Sequence, residues 1–180
     1  WKDPRVLHSL NVVRYGRAAA SLRLLYASVR HVGYTQEYDI AHCHFAGNGI
    51  VGIALQEAGL LNARRTLTSF HGRDVHVDLP RFSPRVRDIL FDCVDGITVN
   101  SRYTAQSVVE LGGSNEEIRK LPVGLEVEKF NFQVRSRNAN ESVRILTVGG
   151  LVEKKGIEYA IRALAKLVPD IDFIYRIVRE

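Results

Sequence analysis

Apolar positions follow two spacings that alternate along the chain. Between residues 16 and 31, Leu22, Leu25, Tyr26 and Val29 recur at helical spacing with arginines between them, which predicts an amphipathic helix. An apolar run from about Ile40 to Phe45 predicts a short strand, and AGNGIVGIALQEAGLL after it a small-residue loop opening into a helix. The unit then repeats. Arg65 to Phe70 is a strand, HGRD the loop at its end, and SPRVRDILFDCVDG a helix with Ser83 as cap and Pro84 in its first turn. GITVNS is a strand that meets Ser101, the expected cap of the helix RYTAQSVVELG, which Gly112 and Gly113 stop. EEIRKLPV gives a short strand before Pro122. Residues 131–142 are polar, lack a period and read as a linker. VRILTV then starts a fresh unit, followed by a helix with Ile157, Ala160, Ile161, Leu164 and Leu167 on one face. Pro169 ends that helix, and IDFIYRIV is a further strand.

Strand and helix alternate at roughly 25 to 30 residues per unit, which argues a parallel sheet covered by helices on both faces. The fold class is α/β. Residues 1–130 read as most of one domain, 131–142 as the linker and 143–180 as the start of a second domain. Both domains read as incomplete.

Composition narrows the function classes. A chain with 46% hydrophobic and 25% charged residues is globular, not disordered. Its net charge of +5 suits an anionic substrate, a membrane surface or nucleic acid. No interleaving of aromatic and basic residues and no helix-turn-helix pattern appears, so nucleic acid is not an expected partner. Two distant cysteines, Cys43 and Cys93, make no disulfide framework and favour a reducing compartment. No apolar run reaches the roughly 18 residues of a spanning helix, and WKDPRVLHSL is not a signal peptide. A cytoplasmic protein is expected, with peripheral association at the inner face of the membrane left open. Arg5, Arg14, Arg17, Arg23 and Arg30 around the first helix could meet acidic lipid, although a solvated charged face explains them better. The chain starts at Trp1 and contains no methionine, which reads as a piece of a longer protein or as modified methionines left out.

Ligands of such sheets bind outside the carboxyl ends of the strands, so the loops there carry the chemistry. In FAGNG, Phe45 to Gly49, the backbone can come close to a ligand, and Asn48 offers a polar side chain; a turn that needs glycine explains the segment equally well. In SFHGRD, His71 follows an apolar strand directly. It could donate to a substrate hydroxyl or phosphate, or act as acid or base. Gly72 allows close approach, and Asp74 could orient His71 or bind a sugar hydroxyl. In ILTVGGLVEKKG, Gly149 and Gly150 permit tight curvature, and a helix beginning near Gly156 aims its N-terminus at the same spot, a setting that attracts phosphate. Lys155, and less surely Lys154, adds a cation whose place at a helix start opposes the helix dipole. This stretch follows neither the GxxxxGK[ST] nor the GxGxxG order. His42, Cys43 and His44 are not a metal set, because consecutive strand residues face opposite ways and no second cluster completes four ligands. A hydrogen bond at the strand end is the expected use of either histidine.

Four segments carry a family likeness: DIAHCHFAGNG, TLTSFHGRD, ITVNSRYTAQSVVELGGSNEEIRKLPVGLEVEKF and ILTVGGLVEKKGIEYAIRALAKL. In this order the chain resembles the GT-B glycosyltransferases of the large retaining group called family 4, and most of all those of bacterial exopolysaccharide assembly of the colanic-acid-like kind. The resemblance implies two Rossmann-like domains facing across a cleft. The N-terminal domain would hold a saccharide or lipid-linked acceptor and the C-terminal one a nucleoside-diphosphate-sugar donor, with no cofactor required. On this likeness His71 matches the histidine near the transferred sugar and donor phosphate, and Lys155 the lysine on the donor diphosphate. Gly149 and Gly156 bracket that loop, and Ser101 matches the serine closing a strand at the cleft. The implied reaction is hexose transfer with retention.

The departures matter too. The family's arginine after the first loop glycine is Gly150 here, so half of the expected cationic clamp is missing. The usual GVD is GLE, Gly124 to Glu126. The family's acidic E-x7-E region and its N-terminal glycine-rich loop have no counterpart, so a piece without turnover on its own is expected. No paired carboxylates of a glycoside hydrolase are seen. The competing readings are a related epimerase or phosphorylase, and a degenerate, non-catalytic α/β domain that binds a nucleotide-sugar.

Overall fold

The computed structural model describes residues 3–134 and 141–179. Of the linker expected at 131–142, residues 135–140 lie outside the described residues. The chain divides into two compact units, residues 1–125 and 126–180.

In the first unit the β-branched and aromatic runs form β1 (Glu37–His44), β2 (Asn62–Phe70), β3 (Gly96–Val99) and β4 (Ile118–Lys120), paired in that order and all parallel. Parallel neighbours need a crossover, and the helices supply it. Two single turns, α1 (Val12–Tyr15) and α2 (Arg17–Ala20), and α3 (Arg23–His31) precede the sheet. Then α4 (Ala46–Glu57) links β1 to β2, α5 (Pro84–Asp92) links β2 to β3, and α6 (Arg102–Glu110) links β3 to β4. Ile50 and Ile53 of α4, Leu90 of α5 and Val108 of α6 pack on Phe70, Ile97 and Val99 of the sheet to form the core.

The helix expected over 16–31 is broken. Gly16 (φ 54°) separates the first two turns, and Leu22, in the left-handed region at φ 59°, separates α2 from α3. The break resets the phase. Tyr15, Ala19, Leu24 and Ser28 turn inward with one five-residue step across Leu22, whereas Leu22, Tyr26 and Val29 are exposed. A period of 3.6 carried through the kink selects the wrong face.

The FAGNG segment is also not a loop. The helix α4 begins at Ala46, and its glycines serve packing: a Cβ on Gly49 would lie 2.6 Å from Leu90 Cδ1 and 2.8 Å from Thr68 Oγ1, and one on Gly52 would lie 2.7 Å from Cys43 Sγ. Small residues here let the helix sit tightly on the sheet. Ser101 caps α6 as expected, accepting from Thr104 N at 3.1 Å. Ser83 occupies the cap position of α5, where its carbonyl, not its hydroxyl, takes the first amides.

In the second unit β5 (Val143–Val148) and β6 (Phe173–Val178) are parallel and joined through α7 (Ile157–Ala165). Ile157, Ala160 and Leu164 of α7 are half-buried; Ile161 is exposed, and Leu167 lies past the helix end.

Candidate active site

In the first unit, parallel pairing places the ends of β1 and β2 side by side, with His44 opposite Ser69 and Phe70 opposite Val99 of β3. His71, one residue past β2, therefore reaches the level of His44. Their ring centroids lie 5.1 Å apart with 15° between the planes, and the rings meet edge to edge, with His44 Nδ1 and His71 Nε2 hydrogen-bonded at 2.9 Å. Since side chains alternate along a strand, His42 lies on the same side as His44, 4.4 Å away ring to ring. His42 Nε2 bonds Ser69 Oγ at 2.6 Å, and Ser69 in turn bonds Thr98 Oγ1. Partial burial, with His44 and His71 beside it, holds the pKa of His42 below the ordinary imidazole value. Three imidazoles thus line the carboxyl edge of the sheet, where an α/β fold binds its ligands. Both strand histidines make hydrogen bonds, the use expected of them. Among the described residues no group of three or more His, Cys, Asp or Glu side chains is placed to hold a metal ion.

The loop after β2 is held from within. Gly72 has φ 92°, a left-handed conformation that costs glycine little, and it turns the chain into a wide helical turn over Asp74–Asp78. Asp74 is 1% exposed. Its Oδ1 accepts from His71 N at 2.9 Å and its Oδ2 from Ala46 N at 3.2 Å. The carboxylate therefore ties the His71 backbone to the start of α4, where a negative charge also suits the helix dipole. Both carboxylate oxygens are thus engaged by backbone amides at a buried position, and Asp74 reaches His71 through its backbone N–H, not its ring. Phe45, the residue before α4, has φ 72°, and its ring lies 4.9 Å from that of His71. A strained non-glycine residue at this junction fits a functional edge.

Asn48 and Ser101 stand apart from the imidazoles in their bonding. Asn48, in the first turn of α4, accepts from Arg23 Nη2 at 2.7 Å. Gly47 leaves room for that guanidinium, since a Cβ there would lie 2.9 Å from Arg23 Nη1. A cleft of about 690 Å3 opens between α3, β1 and α4; Arg23, His42 and Asn48 line it, and His44 and His71 do not. Ser101 Oγ bonds Thr104 Oγ1 at 2.9 Å, and Thr104 Oγ1 donates to Asn100 Oδ1 at 2.9 Å. These residues follow β3 at the same edge of the sheet.

Arg5 and Arg14, with Arg23, were candidates for a lipid surface. Arg5 pairs with Asp3 at 2.6 Å and Arg14 with Glu57, so all three are committed within the unit. No described helix is long and apolar enough to cross a membrane.

The second unit carries the glycine loop. After β5, the chain passes Gly149 and Gly150 into a short turn, Glu153–Lys155, and only then, through Gly156 at φ 65°, into α7. Lys154 and Lys155 thus lie in the turn before α7 and not within it. The aliphatic part of Lys155 packs beside Gly149, where Cε lies 3.7 Å from the point a Cβ would occupy. The lysine is folded back toward the end of β5, over the loop that glycine keeps low.

The first unit is thus a parallel α/β sheet with imidazoles at its carboxyl edge, and the second a strand–glycine loop–helix unit. The chain belongs to Glycosyltransferase Family 4, whose family profile matches residues 2–129. It is 32% identical over 169 residues to the amylovoran biosynthesis glycosyltransferase AmsK of Erwinia amylovora, covering 89% of this chain and 39% of that protein. It is 28% identical over 173 residues to WcaL of Escherichia coli (strain K12), a glycosyltransferase named for colanic acid biosynthesis, covering 94% of this chain and 42% of that protein. The Salmonella typhimurium WcaL is 29% identical over 174 residues, with the same two shares covered, 94% and 42%. The chain spans about two-fifths of the length of these curated relatives.

Proposed function

We propose that this chain is the acceptor-side unit, with the opening of the donor-side unit, of a GT-B-type retaining hexosyltransferase. The whole protein would move a hexose from a nucleoside-diphosphate sugar to a hydroxyl of a saccharide or lipid-linked acceptor. The reading rests above all on His71, which stands at the carboxyl end of a parallel sheet on a loop braced by Asp74. The names of the relatives support an exopolysaccharide product.

In the transfer, the bond from the anomeric carbon to a diphosphate oxygen breaks. The acceptor oxygen bonds that carbon on the same face, and the hydroxyl proton leaves with the departing phosphate. Negative charge grows on the diphosphate. Lys155 and the first-turn amides of α7 are the groups suited to stabilise it. His71 is suited to hold the sugar by a hydrogen bond that strengthens as the bond breaks.

The test is transfer by the full-length protein with a panel of nucleoside-diphosphate sugars. His71→Ala and Lys155→Ala should each lower kcat/KM by about 100-fold or more. Wild-type protein that binds a donor yet neither transfers nor hydrolyses it would support the second reading, a non-catalytic nucleotide-sugar binder. Gly150, where the family has arginine, favours that second reading. Its position is open: a Cβ there meets nothing within 4 Å and its φ lies outside the left-handed region. Gly150→Arg should therefore fit and tighten donor binding by about fivefold or more, the worth of one charge-assisted hydrogen bond. No change on that substitution would separate Gly150 from the donor diphosphate.

A further inference from the structure

We propose that the ring of Tyr103, held against His76, is a platform on which a pyranose ring of the saccharide acceptor stacks. Both residues belong to the carboxyl edge that carries His71. His76 lies on the loop braced by Asp74, in the wide turn over Asp74–Asp78, where the amide of Leu79 reaches back to the carbonyl of Asp74. Turns of this width gather at functional sites. His76 N donates to the Gly72 carbonyl at 2.9 Å, so its backbone is fixed to the turn that follows His71. Tyr103 lies in the first turn of α6, just past the cap Ser101, on the helix that follows β3, and β3 pairs with β2.

The two rings lie 5.0 Å apart with 31° between their planes, yet Tyr103 is 72% exposed and neither residue belongs to the core. Among the described residues, neither the Tyr103 hydroxyl nor an imidazole nitrogen of His76 makes a hydrogen bond. A lone exposed ring would be an ordinary surface feature. This one is kept from turning freely by its neighbour, so a ligand that covers it costs little side-chain entropy. Its chemistry selects the ligand. A pyranose shows a face of C–H groups rimmed by hydroxyls. The face suits an aromatic ring, and the hydroxyls suit the free phenol and imidazole. A phosphate shows no such face.

This inference rests on the transferase reading for the identity of its ligand, and its test separates the two. The probes are methyl β-D-galactopyranoside and D-sorbitol, an open-chain polyol that has hydroxyls but no ring face. Saturation-transfer NMR on the full-length protein reads which probe protons touch the protein, and titration gives Kd. The expected result is transfer to the C–H protons of the pyranoside and none to sorbitol. Tyr103→Phe should keep the affinity, and Tyr103→Ala should weaken it by about fivefold or more. The exposure of Tyr103 lets both variants fold, which circular dichroism checks. A pyranoside that receives no transfer, equal binding to Tyr103→Ala, or an equal response from sorbitol overturns the proposal. So does uridine that depends on Tyr103 more strongly than the pyranoside, because the ring would then belong to a nucleobase. Turnover is read apart. A wild type that binds the pyranoside through Tyr103 but transfers no sugar defeats the transferase reading alone. One that transfers sugar with an acceptor KM unmoved by Tyr103→Ala defeats this inference alone.

Discussion

Asp74→Asn isolates the brace beneath His71. The two carboxylate oxygens accept separate amides, His71 N at 2.9 Å and Ala46 N at 3.2 Å, at a site only 1% exposed. Asparagine is nearly isosteric, but only one of its terminal atoms accepts. Whichever way it turns, its NH2 faces a backbone N–H, so one buried donor loses its partner and two donors are opposed. A hydrogen bond to a charged group contributes about 1.5–3 kcal/mol, and an orphaned buried donor costs about 1–3 kcal/mol. The loss of a negative charge at the start of α4 adds roughly 0.3–1 kcal/mol. These are overlapping views of one change, and together they predict a loss of about 2–3 kcal/mol. Urea unfolding followed by circular dichroism should show the midpoint falling by about 1–2 M at an unchanged slope. Hydrogen exchange gives the local answer, because the Ala46 and His71 amides should lose protection first. An Asp74→Asn protein within about 0.5 kcal/mol of the wild type would refute the reasoning, since a substitution that costs so little behaves as a surface change.

Further tests address the packing and a charged cluster behind the sheet. Gly49→Ala should lower stability by about 1–3 kcal/mol, because its methyl would meet Leu90 at 2.6 Å and Thr68 at 2.8 Å; helix propensity alone predicts a gain of about 1 kcal/mol, so a raised urea midpoint would remove the packing argument. Glu57 accepts from Arg14 Nε at 2.7 Å and also from Tyr15 and His8. Burial pushes its carboxyl pKa up, but the bonds from Arg14, Tyr15 and His8 outweigh that and hold it below the ordinary value of 4.5. The folded chain then binds this proton more weakly than the unfolded chain, so the contribution is full above that value and is lost as pH falls through the folded pKa. The wild type should lose more stability than Glu57→Gln between about pH 5 and pH 3, and parallel losses would show that Glu57 is not linked to folding.

The strands were readable because each is a short apolar or β-branched run closed by glycine, proline or a cap, and those signals are local. The parallel sheet followed from their alternation with helices. What failed were properties that depend on one backbone angle or one distant neighbour. Leu22 carries no mark of a left-handed conformation, yet that single φ of 59° moves Leu24 inward and turns Tyr26 out. Gly47 and Gly49 look like loop residues in a string, since glycine lowers helix propensity. Their reason is spatial: Arg23 lies against one, and Leu90 and Thr68 against the other. The wide turn over Asp74–Asp78 also has no periodic signature.

The candidate site was legible residue by residue but not as a constellation. His71 announced itself by following an apolar strand, and the equal spacing of His42 and His44 put both on one side of β1. Nothing along the chain gives the register between β1 and β2, and register decides whether the two sets meet. With His44 opposite Ser69, the turn at Gly72 brings His71 back against it; a slip of one residue would send the β1 histidines to the other face. Asp74 is the informative case. An acid three residues after a histidine reads as a partner for the ring or for a sugar, because the string shows side chains and hides backbone amides. In the folded loop the nearest unsatisfied groups are the amides of His71 and Ala46, and a buried carboxylate goes where donors would otherwise be orphaned. The ring of His71 is then left to another imidazole, and the acid acts on the chemistry only through the backbone that carries it.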